Sequence, residues 1–278
     1  MPASELLGHP PDARVLIVNC DDVGLHEDVD VAAVEAIEVG IAASCSLMTA
    51  GPSAAHAMRL LRARPDVPFG VHLTLVRDSP TDRSGPLTSK DKVRSLLDDA
   101  GRFFTSADRE ALLARARADE VEVEFRAQVD AAVDAGLSPT HLDFHCLADG
   151  GRDDVLALTV GLAEEYGLAV RVWLEEGRRA MRRRGLPVID HPFVDSFALD
   201  VDRKFARYGE LLRDLPPGLS EWAVHPSVAS ARSREVDGGW RVRRTDYDFL
   251  VSPEARDLVD REGITVIDYR ALQKEWSR

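Results

Sequence analysis

The feature of this sequence that most constrains its fold is the alternation of short apolar runs with longer segments of helical periodicity. Eight of the apolar runs are rich in β-branched residues and have the length of a strand. Alternation of this kind is typical of parallel βα units, and eight strands suggest a barrel. The predicted strands are residues 15–20, 42–48, 69–75, 140–143, 169–173, 187–189, 221–224 and 265–267.

The predicted helices fill the segments between these strands, and four of them end at a glycine suited to a C-terminal cap. They are residues 28–39, 53–64, 110–135, 153–166, 202–212, 253–261 and 270–276, and the glycines are Gly40, Gly136, Gly167 and Gly263. Residues 77–105 lack periodicity and follow a predicted strand, so we expect them to form a lid. No linker or break in composition divides the chain, which predicts a single α/β domain over residues 1–278.

The charge of the chain excludes several kinds of partner. Asp and Glu number 48 against 35 Lys and Arg, which gives a net charge of -13. Such a surface repels phosphate backbones and anionic lipids, so we expect neither nucleic acid nor a membrane as partner. The basic run from Arg178 to Arg184 is interpreted as a solvated helix face or loop in preference to an anion site. Assembly into a homo-oligomer is left open.

The cysteines and the amino-terminal residues indicate the cellular compartment in which we expect to find the protein. Cys20, Cys45 and Cys146 form no CxxC pair and cannot all be disulfide-bonded within one chain, which suits a reducing environment. No segment is long and apolar enough to cross a bilayer, and residues 1–14 lack the pattern of a signal peptide. We therefore expect a cytoplasmic protein.

Four polar clusters follow apolar runs, and active sites of parallel barrels form at the carboxyl ends of the strands. In Asn19-Cys20-Asp21-Asp22-Val23-Gly24, two adjacent carboxylates leave a buried run and require a cation or hydrogen bonds as compensation. A helix N-cap is the alternative interpretation of Asp22. In His141-Leu142-Asp143-Phe144-His145 the polar residues alternate, so a strand would point all three to one side.

The other two clusters each place one histidine among apolar strand residues, in Gly70-Val71-His72-Leu73-Thr74 and in Trp222-Ala223-Val224-His225-Pro226. Alone, His72 would be interpreted as a histidine of the core. Together, His72, His145 and an aspartate of the first cluster offer two imidazoles and one carboxylate, with room left for water or substrate. This donor set predicts a catalytic site for one divalent ion, zinc by preference and magnesium as the alternative.

The blocks NCDDVG, GVHLTL, PTHLDFH and AVHP occur in this order between Val15 and about Tyr269. In order and separation they resemble the signature blocks of YdjC-like carbohydrate deacetylases, known members of which act on acetylated chitooligosaccharides. The resemblance implies a deformed, TIM-like (β/α) barrel and a metal ion held by Asp22, His72 and His145. It also implies that Asp21 is the general base and His225 the general acid.

The sequence departs from the family pattern in two places, after His145 and at Val23. The family continues the third block with further histidines, as in DSHHHVH, whereas Cys146, Leu147 and Ala148 follow His145 here, and Val23 replaces the usual phenylalanine. The residues of the metal triad are intact, but those beyond His145 would face the sugar. The identity of the acetylated sugar is therefore left unspecified.

The predicted reaction is metal-assisted hydrolysis of an acetyl amide on a small acetylated sugar. Asp21 would take a proton from the attacking water, and His225 would protonate the departing amine. His225 would need a carboxylate neighbour to favour its charged form, for which Asp143, Asp190 and Asp246 are the candidates.

Three further residues are predicted to support this site. Asp143 would hold a metal ligand in place. Arg171 would either orient Asp21 or form an ordinary salt bridge. His191, next to Asp190 at the end of a predicted strand, would contact substrate.

Two other functions compete with deacetylation. A strand that ends in Asn-Cys-Asp is also similar to the lactam-utilisation family, although the blocks GVHLTL and HLDFH argue against a lactam hydrolase. A catalytically silent sugar-binding or regulatory barrel is the second alternative. Such a protein would need neither Asp21 nor His225, and metal-dependent release of acetate from acetylated sugars would distinguish it from an enzyme.

Overall fold

Ten β-strands form within residues 2–278, which are the residues that the computed structural model describes. They are β1 Arg14–Val23, β2 Ser44–Leu47, β3 Phe69–Leu73, β4 Val76–Arg77, β5 Phe104–Thr105, β6 His141–Phe144, β7 Ala169–Val170, β8 Val194–Asp195, β9 Gly218–Val224 and β10 Thr265–Val266. Eight of them form one parallel sheet in the order β7-β6-β3-β2-β1-β9-β8, with β10 paired to the start of β1. The short strands β4 and β5 pair with each other.

Twelve α-helices connect these strands within the same residues. They are α1 Ala3–Leu6, α2 Glu27–Val39, α3 Ala54–Arg62, α4 Arg109–Arg115, α5 Ala118–Asp134, α6 Asp153–Tyr166, α7 Glu175–Arg183, α8 Lys204–Arg213, α9 Ala231–Val236, α10 Trp240–Leu250, α11 Pro253–Arg261 and α12 Tyr269–Trp276. The sheet is covered on its outer face by helices, and for that reason the first half of β1 is an unbroken apolar run with no exposed residue from Val15 to Val18.

The sheet is curled, so the predicted fold class, a deformed TIM-like α/β barrel of one domain, is confirmed. The strands β7 and β8 are the two edges of the sheet and do not pair with each other. Side chains bridge this opening instead. Arg171, which follows β7, donates to Glu221 of β9 at 2.8 Å, and the rings of Trp173 and Phe193 lie 4.0 Å apart.

One predicted strand is wrong. Residues 187–189 form no ladder, and the strand that pairs with β9 is β8, five residues further on. The apolar run is nevertheless buried, with Val188 and Ile189 at 2% and 3% exposure. Pro187 lacks an amide hydrogen for a ladder, and the carbonyl of Ile189 accepts a hydrogen bond from Arg182 of α7.

The helix predicted over residues 110–135 is two helices, α4 and α5. Ala116 is extended, with φ -60° and ψ 127°, and interrupts the helical ladder. Arg152 donates to the carbonyls of Leu113 and Ala116 at 2.9 and 2.6 Å, and Ser95 accepts from the amide of Arg117 at 3.0 Å. These tertiary hydrogen bonds satisfy backbone groups that a continuous helix would have paired.

Several segments form helices or strands that the sequence pattern did not predict, among them the helices α1, α7 and α9. Residues 240–250 form α10, whose periodicity is hidden by charged residues that turn out to be buried, such as Arg243 and Asp246. Residues 77–105, the predicted lid, contain β4, β5 and two 3₁₀ turns, and several of their side chains line the cavity described below. Among residues 2–278, no helix has the length and apolar character that a membrane span requires.

Candidate active site

The carboxyl ends of β1, β3, β6 and β9 open into a cavity of about 1620 Å³. Asp21, Asp22, His72, His145 and His225 all line this cavity. The structure therefore brings together the five residues to which the sequence analysis gave metal-binding and catalytic roles.

A β-bulge explains why both adjacent aspartates face the cavity. In a regular strand, Asp21 and Asp22 would point to opposite faces of the sheet. In β1, however, Cys20 pairs with Cys45 and Val23 pairs with Leu47, so three steps on β1 match two on β2. The extra residue is accommodated by Asp22, which has the left-handed φ of 69°. The same local distortion thus aims two carboxylates into one site.

Asp22 belongs to a group of side chains that we call the outer cluster, namely Asp22, His72, His145, Asp78 and Arg243. The Oδ1 atom of Asp22 lies 3.3 Å from Nε2 of His72 and 3.0 Å from Nδ1 of His145. Its Oδ2 atom lies 2.7 Å from Arg243, and Asp78 contacts Nε2 of His145 at 2.9 Å. Asp78 is the most open member, with 30% of its side chain exposed.

The donor atoms of Asp22, His72 and His145 fit a divalent ion. All three lie within 4.8 Å of one another. Two ligands about 2.1 Å from one ion are roughly 3.0 to 3.4 Å apart at tetrahedral or octahedral angles, and the two distances from Asp22 to the imidazoles fall in this range. His72 also lies opposite Asp143 in the sheet, and its Nδ1 is held by Asp143 Oδ1 at 2.8 Å, which leaves Nε2 to face the ion.

The electrostatics of the outer cluster favour positive charge between its carboxylates. Burial alone would raise the pKa of Asp22, but Arg243 and the two imidazoles outweigh it and hold that pKa well below its usual range. Burial opposes protonation of His72, yet Asp143 and then the other nearby carboxylates raise its pKa to about 9. The pKa of His145 is likewise raised, against burial, by the charges around it. A divalent ion would replace the protons held by these imidazoles.

Asp21 belongs to a second group, the inner network, which consists of Asp21, Asp143, Arg171, Glu221 and Tyr269. Arg171 donates to both oxygens of Asp21, at 2.7 and 2.9 Å, and to Glu221 at 2.8 Å. It also lies 2.9 Å from Asp143. Asp21, His72 and Asp143 are close enough to suggest an ion of their own, but the guanidinium of Arg171 already contacts both of these carboxylates.

Glu221 is the member of the inner network that is least stable as an anion. Three carboxylates share the single charge of Arg171, and Tyr269 donates to Glu221 at 2.7 to 2.8 Å. Burial raises the pKa of Glu221 to about 7, although Arg171 and Tyr269 oppose this rise. The network therefore holds Asp21 in place by contacts that are shielded from solvent.

His225 directly follows β9, the strand that pairs with β1. Its Nδ1 is hydrogen-bonded to Ser196 at 2.8 Å, and the edge of its ring packs against Phe197 with 4.7 Å between centroids. Its Nε2 makes no hydrogen bond within residues 2–278 and is free for a ligand. The prediction that a carboxylate lies beside the ring of His225 is wrong. Asp246 accepts a hydrogen bond from the backbone amide of His225 at 2.9 Å and does not contact the ring.

The structure gives the contacts of the three residues that were predicted to support the site. Asp143 contacts His72, and Arg171 forms a buried salt bridge with Asp21, which is compatible with both roles predicted for Arg171. His191 lies at the other end of β9, where Nε2 contacts the carbonyl of Pro217 at 2.7 Å. Asp190 is there too, bonded to the amides of Ala3 and Leu219. The prediction that His191 contacts substrate is wrong, because it rested on a strand ending at residue 189.

Five residues of the site were not predicted from the sequence, namely Glu221, Tyr269, Asp78, Arg243 and Ser196. Glu221 could have been identified, since a carboxylate inside a buried strand requires a partner. Asp78 lies in the predicted lid, but no pattern singled it out. Arg243 and Ser196 come from segments for which no element was predicted and reach the site through the tertiary fold.

Comparison with known proteins gives the class to which this site belongs. Residues 15–261 match the family model described as YdjC-like protein. A protein of Brevibacillus brevis named carbohydrate deacetylase is 30% identical over 92% of this chain and 99% of its own length. Another of that name, from Thermus thermophilus, is 35% identical over 69% of this chain and 73% of its own length. The chain belongs to the YdjC-like family.

A solved structure supports the fold independently. The crystal structure of a putative cellobiose-phosphate cleavage protein from Enterococcus faecalis matches with a TM-score of 0.80. The match covers 94% of this chain and 99% of the other, at 24% sequence identity. The curled parallel sheet and its helices are therefore shared over nearly the whole length of both proteins.

Proposed function

We propose that this protein is a metal-dependent carbohydrate deacetylase, which hydrolyses an N-acetyl group of an amino sugar or another small acetylated carbohydrate. The observation that carries the proposal is the convergence of Asp22, His72 and His145 on one point, with Asp21 and His225 lining the same cavity. The names of the family relatives support a carbohydrate as the substrate.

Asp22, His72 and His145 would hold one divalent ion, for which zinc is our first choice and magnesium the alternative. When bound, the ion supplies Lewis acidity, which polarises the acetyl carbonyl and makes water beside it more acidic. Asp143 keeps His72 in the tautomer that presents Nε2, because its carboxylate accepts the proton on Nδ1.

Asp21 would act as the general base. Its carboxylate lies 4.0 Å from Nε2 of His72, beside the ligand set, and lines the cavity. Arg171 and Asn19 hold both oxygens of Asp21 in place. A fixed carboxylate at this position can take a proton from the attacking water without first reorganising.

His225 would act as the general acid. Ser196 binds Nδ1, so Nε2 is the atom that faces the cavity and that would deliver a proton to the departing amine. The amine leaves as the carbon-nitrogen bond breaks, and acetate and the free amino sugar are the products.

The cavity suits a ligand larger than one sugar ring. Its volume of about 1620 Å³ exceeds the roughly 300 to 1,000 Å³ of ordinary small-molecule pockets. Trp173 and Phe197 line it, and aromatic rings offer flat apolar faces against which a sugar can pack. Short acetylated oligosaccharides are therefore the first substrates to test.

The test is release of acetate from a panel of N-acetylated mono- and oligosaccharides, before and after removal of metal by a chelator. We expect acetate release that disappears on chelation and returns with zinc or magnesium. Binding of the sugars without any acetate release, at every ion tested, would contradict the proposal and favour a silent sugar-binding barrel. Release that persists in fully metal-free protein would contradict the role of the ion.

A further inference from the structure

A second set of possible metal donors lies beside the outer cluster, on the side that opens to the cavity. Asp78 Oδ1, His145 Nε2 and Cys146 Sγ lie within 4.8 Å of one another. The individual distances are 2.9 Å from Asp78 to His145, 3.5 Å from Cys146 to His145, and 3.6 Å from Cys146 to Asp78.

The two distances from the thiol suit an ion of the zinc class, whereas the 2.9 Å between Asp78 and His145 is a hydrogen-bond distance that would lengthen as an ion binds. With about 2.3 Å for a zinc-sulfur bond and 2.0 to 2.1 Å for a zinc-nitrogen bond, tetrahedral ligands lie about 3.6 Å apart. The two distances from Cys146 Sγ match this value. A thiolate, an imidazole and a carboxylate are also the three ligand types that zinc sites use, and sulfur selects against magnesium.

The backbone is distorted at the point that presents the thiol. Cys146 has φ of 57°, a left-handed conformation that is costly for a residue with a Cβ atom. Of the three cysteines, Cys20 and Cys45 are fully buried in the core, whereas Cys146 is exposed and lines the cavity. Cys146 is thus the thiol that an ion in the cavity can reach.

Asp78 has one oxygen available for an ion. Arg243 lies 3.3 Å from Oδ2 of Asp78, whereas Oδ1 is the atom that faces His145 and Cys146. Arg243 therefore fixes the carboxylate without covering the donor atom.

We propose that Asp78, His145 and Cys146 form a second divalent-cation site, selective for a thiophilic ion such as Zn²⁺. Cys146 and the protonated imidazole of His145 each release one proton to solvent as they bind the ion, which leaves a thiolate and a neutral imidazole as ligands. The site goes beyond the proposed deacetylase centre, because neither Asp78 nor Cys146 takes part in that centre.

The two sites share His145 and therefore compete. A neutral imidazole has one nitrogen with a free lone pair. When Nε2 binds an ion beside Cys146, Nδ1 keeps the proton and donates it to Asp22, which lies 3.0 Å away. His145 is then withdrawn from the first site, so filling of the second site weakens binding at the first.

The test uses Co²⁺ as a spectroscopic probe, added to metal-free full-length protein. A thiolate bound to Co²⁺ gives a charge-transfer band in the near ultraviolet, which imidazole and carboxylate ligands do not give. We expect this band in the wild-type protein and in Asp22→Asn, which removes a ligand of the first site and no ligand of the second. We expect no band in Cys146→Ser, with the affinity of this site reduced by at least about 10- to 100-fold.

Alkylation of the exposed thiol of folded wild-type protein provides a second way to remove the ligand if Cys146→Ser does not fold, and it should also abolish the band. Asp78→Asn should retain the band but shift it to higher Co²⁺ concentration. Absence of the band in wild-type protein, or its survival after alkylation, would overturn the proposal. Loss of the band in Asp22→Asn would also overturn it, since Cys146 would then be a ligand of the first site.

Discussion

Asp21 and Asp22 are neighbours in the sequence, yet they belong to two groups of charged side chains with different surroundings. Asp21 lies in the inner network, where Arg171 contacts three carboxylates and each member is at most 3% exposed. Asp22 lies in the outer cluster, where its carboxylate contacts the imidazoles of both His72 and His145. Asp78, another member of this cluster, is partly open to solvent.

This comparison distinguishes a group of side chains that is held rigidly from a group that can bind an ion. In the inner network the guanidinium of Arg171 contacts all three carboxylates and offsets part of their charge without a ligand. In the outer cluster the imidazoles hold protons that an ion can displace. The inner network therefore fixes the carboxylate that we propose as the general base, and the outer cluster is the part that we propose to bind a cation.

The largest effect is expected at His225, which belongs to neither group. His225→Ala should lower kcat by roughly 10² to 10⁴, the usual range for one acid-base group, without loss of the bound ion. An activated acetyl ester, whose leaving group needs no proton, should be affected much less. Steady-state kinetics with both substrates measure this, and equal losses would mean that His225 positions substrate or ion and is not the acid.

Arg171→Ala tests whether the inner network is structural. Removal of the guanidinium leaves three buried carboxylates without the cation that they share, so we expect the free energy of unfolding to fall by about 3 to 5 kcal/mol. Arg243→Ala is the matched variant in the outer cluster. A divalent ion should stabilise Arg243→Ala more than it stabilises Arg171→Ala, because only the first variant loses a positive charge beside the ion site that the ion can replace. Denaturant unfolding with and without Zn²⁺ compares them, and an equal gain in stability from the ion in both variants would erase the distinction between the two groups.

Glu221 makes the stability of the inner network depend on pH. Its pKa rises from 4.5 to about 7 on folding, so the contribution of the protonated form is fully present below pH 4.5 and is lost as the pH rises through 7. Compared with Glu221→Gln, wild-type protein should lose about 3 kcal/mol between these limits, since one pKa unit equals about 1.36 kcal/mol. Unfolding curves of both proteins from pH 4.5 to 8 measure the difference, and parallel curves would contradict this role.

Ser196→Ala should have the smallest effect. It removes the hydrogen bond to Nδ1 of His225, which is worth about 1 kcal/mol and hence roughly fivefold in kcat. KM should be unchanged, because Ser196 does not face the cavity. Ser227→Ala, a buried serine two residues after His225, is the control. Equal kinetics for Ser196→Ala and wild-type protein would mean that the serine does not orient the ring.

The sequence predicted the parts of the molecule that rest on local pattern. The strands that carry Asp21, His72, His145 and Glu221 are apolar runs bounded by polar residues, so their positions and the edge of the sheet at which they end were predictable. The alternation of His141, Asp143 and His145 placed three side chains on one face in the same way.

What the sequence did not predict depends on contacts between distant segments. The β-bulge at Asp22 arises from pairing with β2, and the break between α4 and α5 arises from Arg152. The carboxylate expected beside His225 reaches the backbone amide and not the ring, because α10 sets its position. Neither hydrophobic period nor local propensity carries information of this kind.

The pair Asp22→Asn and Asp21→Asn, made in a Cys146→Ser background so that only the first site can bind, tests the central claim most directly. The measurement is the amount of bound Zn²⁺ together with acetate release from an N-acetylated sugar. We predict that Asp22→Asn loses the ion and with it turnover, whereas Asp21→Asn keeps the ion and loses turnover alone. If Asp21→Asn loses the ion, or if Asp22→Asn keeps both ion and turnover, the division of the site into a fixed base and an ion-binding cluster is wrong.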